Sequence, residues 1–116
     1  MQTLEQTQRK CCEHYSAQFT PVNLDQLVVI SEGVYEGDKP IEGVRYPSPE
    51  HMSGWWLTTD KYDGNTNSLK TVHYTHIIEE RPEVAIYLAL PSGYRFQLGG
   101  DDERVWFDED VATELP

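Results

Sequence analysis

Residues 94–107, Tyr94-Arg95-Phe96-Gln97-Leu98-Gly99-Gly100-Asp101-Asp102-Glu103-Arg104-Val105-Trp106-Phe107, read as a β-hairpin. Tyr94, Phe96 and Leu98 point one way along an extended chain, and Arg95 and Gln97 point the other. The Gly-led stretch 99–103 then connects to a second strand, Arg104 to Phe107. Val105 and Trp106 must face opposite sides of that strand. Val105 is the better core residue, so Trp106 is expected to be partly exposed. Beyond the hairpin, Asp108 can cap a last helical turn over Glu109 to Glu114.

Upstream, Pro91-Ser92-Gly93 stops a helical region. Leu69 to Leu90 reads as two helices meeting at Arg81-Pro82, because Pro82 fits a first helical turn, where its missing N–H costs nothing. Val84, Tyr87 and Leu88 share one face of the second helix. Before these lies the polar turn 60–68, with Asp63-Gly64 as its sharpest punctuation. Gly54-Trp55-Trp56-Leu57-Thr58-Thr59 is an aromatic and β-branched strand. One of its two tryptophans faces the core; the other packs under a loop or joins a contact patch. Gly43 to Tyr46 and Leu27 to Ile30 supply further strands. Thr3 to Gln18 has neither Gly nor Pro and reads as a helix with Leu4, Cys11, Tyr15 and Phe19 near one face. The expected fold is α+β: a mostly antiparallel sheet of about four to six strands, with an N-terminal helix and a proline-broken helix pair packed on it.

The length of 116 residues suits a single domain. Nine Lys and Arg against twenty Asp and Glu leave a net charge of −11. Such a balance argues against nucleic-acid binding and against an anionic membrane, and favours a basic partner. Residues 101–116 hold Asp101, Asp102, Glu103, Asp108, Glu109, Asp110 and Glu114 against Arg104 alone, so this end carries −6 of that charge. A solvated face is one reading of it; an acidic surface that docks a basic protein is the other. Trp106 and Phe107 lie inside this stretch, in the pattern of an aromatic anchor ringed by carboxylates.

Catalytic and metal-binding frames are harder to find. His73 and His76 are three apart on the expected helix, and Cys11, Cys12 and His14 cluster on another, so together they are the candidate zinc ligands. No paired CxxC or HExxH frame supports them, and no metal or cofactor is assigned. His73 is read instead as packing in the helix–sheet seam. Cys11 and Cys12 are adjacent, too close for an unstrained disulfide, and fit reduced cytoplasmic thiols. The first residues, MQTLEQTQRK, lack the basic-then-apolar order of a secretion signal. No G-x-S-x-G elbow or phosphate loop is present.

Five runs in order carry a resemblance: Ser53-Gly54-Trp55-Trp56-Leu57, Val72-His73-Tyr74-Thr75-His76, Arg81-Pro82-Glu83, Tyr87 to Phe96 with its Leu-Pro-Ser-Gly-Tyr-Arg-Phe centre, and Val105-Trp106-Phe107-Asp108-Glu109. Pro40-Ile41-Glu42-Gly43-Val44-Arg45 precedes them. This pattern resembles a family of small bacterial immunity proteins from polymorphic toxin systems. The resemblance covers a core of about residues 40–110 and leaves the helix over 3–18 outside it. It implies a protein that neutralises a cognate toxin by binding, and it implies no catalytic residue. Combined with the charge, it makes the toxin a basic, nuclease-type effector. The partner-binding residues are then Asp101, Asp102, Glu103, Trp106, Asp108, Glu109 and Asp110, on a monomer or weak homodimer. A small metal-dependent enzyme using His73, His76, Cys11, Cys12 and His14, or a regulatory adaptor, is the alternative.

Overall fold

Thr3 opens the first helix as a capping box. Its hydroxyl accepts from the Gln6 N–H at 3.2 Å, and the Gln6 side-chain oxygen accepts from the Thr3 N–H at 2.9 Å. The helix, α1 (Leu4–His14), stops short of Gln18 because Ser16 turns into the left-handed region at φ 54°. The computed structural model describes residues 3–100 and 103–113. Its buried stripe is Gln8 and Cys12, one position round from the expected Leu4–Cys11–Tyr15 face, whose members are only half-buried. The reason is polar. Gln8 Nε2 donates to Tyr74 Oη and to the Ala85 carbonyl, each at 2.8 Å, and Cys12 Sγ lies 3.4 Å from the Ala89 carbonyl.

The strands are β1 (Leu27–Ile30), β2 (Ile41–Arg45), β3 (Met52–Thr59), β4 (Lys70–His73), β5 (Tyr94–Leu98) and β6 (Arg104–Phe107). They form one six-stranded sheet in the order β4-β1-β3-β2-β5-β6. β1 and β3 run parallel; the other neighbours are antiparallel. The expected α+β class and mostly antiparallel sheet are therefore what the chain adopts.

β4 was not expected. The absence of a breaker places residues 70–73 in a helix, yet Thr71 and Val72 are β-branched and pair with Val29 and Val28 of β1. Only after His73 does the chain turn helical, as α2 (Tyr74–Glu80). Pro82 then starts α3 (Pro82–Ala85) in its first turn, as its fixed φ favours, and looser turns carry the chain to Leu90. The last helix is α4 (Glu109–Thr113).

Trp55, Leu57, Phe96, Ile41, Ile77, Val84, Leu88 and Leu90 form the centre of the core, all fully buried between α1–α3 and one sheet face. Burial of each such side chain is worth ~1.5–3 kcal/mol. Trp55 also donates its indole N–H to the Leu88 carbonyl at 2.8 Å, which ties the α3 segment to β3. Arg45 sits in the same layer, only 6% exposed. It donates to the carbonyls of Ser53, Thr20 and Leu90 at 2.9, 2.6 and 2.8 Å. Gly54 is required beside it: φ is +90°, and a Cβ there would collide with the Tyr46 carbonyl.

Candidate partner-binding surface

The β5–β6 hairpin holds most of the residues singled out for partner binding. Its register is Tyr94↔Phe107, Arg95↔Trp106, Phe96↔Val105 and Gln97↔Arg104. Residues directly opposite share a face, so Phe96 and Val105 turn to the core while Arg95, Trp106, Gln97 and Arg104 turn outward. The hairpin enters and leaves through one point, where the Asp108 N–H donates to the Gly93 carbonyl at 2.7 Å. Gly93, at φ +97°, has no room for a Cβ between Phe107 and Ala112.

Trp106 is half-buried, as expected of the outward residue, and Val105 packs against the core. The groups on its ring carry the opposite charge to those anticipated. The guanidinium carbons of Arg104 and Arg95 lie over the indole at 4.8 and 5.3 Å. Arg95 also donates through Nη1 to Asp108 Oδ2 at 3.1 Å, while its Nε is buried without a hydrogen-bond partner. The other Asp108 oxygen accepts the Asp110 N–H at 3.0 Å and so caps α4. The Arg95 hydrogen bond and these helix-start N–H groups hold the Asp108 carboxyl below its usual range.

The remaining acids divide between the two ends of β6. Glu103 is exposed at the start, and Glu109 and Asp110 are exposed at the far end, roughly 17 Å away along an extended strand. Asp101 and Asp102 lie outside the described residues, as does Glu114. Phe107 is 53% exposed and meets the Tyr94 ring edge-on at 5.4 Å. Trp56, the outward member of its pair, is half-buried and meets Tyr46 edge-on at 5.9 Å.

The histidine and cysteine candidates lie elsewhere. His73 ends β4 rather than lying on a helix, and it is exposed rather than packed in the helix–sheet seam. The His73 and His76 rings are 6.0 Å apart, centre to centre. His14 is exposed and stacks edge-on against Tyr15. Burial and the neighbouring Cys12 push the Cys11 thiol up to about 11, and burial raises Cys12 as well. Thiols so placed stay protonated at neutral pH, and it is the thiolate that ligates metal or attacks. Among the described residues, no three His, Cys, Asp or Glu side chains gather closely enough to hold a metal ion. No helix there is long and apolar enough to cross a membrane.

Two features escaped sequence reasoning. Arg45 gave no sign of burial, because nothing local marks a cation that will bind backbone carbonyls. The pairing of Arg95 and Arg104 with Trp106 was more accessible. Arg104 is two residues before Trp106, on the same strand face, and a five-residue hairpin loop sets Arg95 opposite it.

The family model of the Imm33-like domain matches residues 7–108. No curated protein and no solved structure matches the chain.

Proposed function

Because the chain belongs to the Imm33-like domain family, a family of immunity proteins, we propose that it binds and neutralises a cognate bacterial toxin by stoichiometric occlusion. The family match over residues 7–108 is the observation that carries this reading. The toxin is a basic, nuclease-type effector. A net charge of −11 supports that choice, since an acidic partner is drawn quickly to the cationic cleft in which a nuclease holds phosphates. The chain acts in the cytoplasm as a monomer or weak homodimer, without metal or cofactor. Glu103, Trp106, Asp108, Glu109 and Asp110 belong to the contact surface, together with Asp101 and Asp102. Occlusion needs no catalytic residue, in keeping with thiols held protonated by burial.

Co-expression tests the reading. Cells producing the toxin domain encoded by the neighbouring gene should die without this chain and grow with it, and the two proteins should co-purify. Continued killing in the presence of folded, abundant chain would sink the proposal.

A further inference from the structure

The outward face of the sheet is not that of an ordinary solvated sheet. One antiparallel face in water normally carries polar side chains. Here the cross-strand register lines up Thr71, Val29, Trp56, Val44, Arg95 and Trp106 in a single row across all six strands. Apart from Thr71 and Arg95 the row is apolar, and Trp56, Val44 and Trp106 are each left half-buried. Helices α1–α3 gather on the opposite face with the core. Tryptophan, tyrosine and arginine are the residue types that dominate binding energy at protein interfaces. This row and its margin hold Trp56, Tyr46, Trp106, Arg95 and Arg104.

The charges on this face are arranged, not scattered. In a chain of −11, Arg104 is exposed and has no carboxylate within ion-pair reach among the described residues. Arg95 spends Nη1 on Asp108, and its Nε is buried without a partner. Arg104 thus presents N–H donors at the hairpin face without an ion-pair partner among the described residues, with the Arg95 guanidinium beside it on the same indole. Around them stand acids: Glu42 two strands from Arg104 in the adjoining row, and Asp108, Glu109 and Asp110 past the end of β6. A cationic centre inside an acidic rim fits a partner of the inverse pattern. Nuclease clefts have that pattern, with basic walls for phosphate around carboxylates that hold metal or a proton.

We propose that the outward face of β5, β2 and β3 around Trp106 is the toxin-facing surface, and that Arg104, seated with Arg95 on the Trp106 indole, takes up a carboxylate of the toxin there. This rests on the immunity reading and adds to it the place and the chemistry of the contact. Arg104 supplies the edge of its planar guanidinium as a bidentate fork to the carboxylate while the guanidinium carbon stays over the indole. Val44 and Trp56 cover apolar surface beside it. The acidic rim meets the basic walls.

The test is binding of the neighbouring gene's toxin domain to four forms of the chain: wild type, Arg104→Glu, Arg104→Lys and Lys61→Glu. Arg104 and Lys61 are both exposed, so none of the substitutions threatens the core. Arg104→Glu should weaken binding by roughly tenfold or more with an unchanged melting temperature, and Arg104→Lys should lie between it and wild type. Lys61→Glu makes the same change in net charge on a loop paired with Asp38, and should bind as wild type or slightly better. A fifth form, Trp106→Ala, should also lose binding. Wild-type affinity in Arg104→Glu, or equal losses in Arg104→Glu and Lys61→Glu, would overturn the assigned surface while leaving the immunity reading intact. Absence of binding by the wild type overturns both.

Discussion

Arg45 is a buried cation that faces backbone carbonyls rather than a carboxylate. Its guanidinium is shared among Ser53, Thr20 and Leu90, with the Trp55 ring 5.7 Å away. Burial draws its pKa down to about 10, still far above neutrality, so the charge is kept. The side chain therefore acts as a clamp between β2, β3 and the segment before Pro91. Arg45→Met would fill much of the volume yet leave those carbonyls without donors. A loss of ~3 kcal/mol or more is expected in denaturant melts, from ~1–3 kcal/mol per unsatisfied buried group. A variant as stable as wild type would show that the clamp carries no weight. Asp108 offers a second check, through pH. Its folded pKa lies below the ordinary carboxylate value, so its contribution is present above that value and fades as pH falls through the depressed one. Asp108→Asn should be less stable than wild type near neutrality, and the gap should close in acid below the carboxylate range. A gap independent of pH would remove the ion pair with Arg95 from the explanation.

At the scale of elements, strands with strong alternation or β-branched runs were legible, and polar seams were not. β1, β3, β5 and β6 follow from Leu27–Ile30, Trp55–Thr59, the Tyr94–Phe96–Leu98 alternation and Val105. β4 was missed because Leu69 to Glu80 contains no breaker, and only the presence of β1 as a partner makes residues 70–73 extended. The face of α1 was misplaced for a related reason. Apolar periodicity selected Leu4, Cys11 and Tyr15, whereas the inward stripe is set by Gln8, a polar residue that no hydrophobic pattern can reveal. Gln8→Ala should then destabilise the protein by ~1–3 kcal/mol, since Tyr74 Oη and the Ala85 carbonyl lose their donor. Lys10→Ala, on the exposed side, should stay within ~0.5 kcal/mol. Equal effects would put the helix on the sheet by another face.

For the whole molecule, charge and local contacts act at different ranges. Most of the −11 resides on exposed carboxylates, whose field is screened beyond ~8–10 Å at 0.1–0.15 M salt. Association with a basic toxin should slow steeply as salt rises, while the dissociation rate, set by contacts at closest approach, changes little. An association rate flat in salt would exclude steering. The place of the candidate site was partly legible. Trp106 and the flanking acids stood out in the sequence, but the guanidiniums on the indole arise only from cross-strand register. The histidines that looked like a ligand pair do bring their rings to 6.0 Å, centre to centre, but among the described residues no third ligand joins them. Occlusion itself is tested most directly by titrating the chain into the active toxin domain and following toxin activity, at toxin concentrations well above the dissociation constant. Activity should fall in a straight line and vanish at one chain per toxin, with the complex recoverable intact. Full activity in the presence of excess folded chain, or complete loss at a small fraction of one equivalent, as an enzyme modifying the toxin would produce, would contradict it.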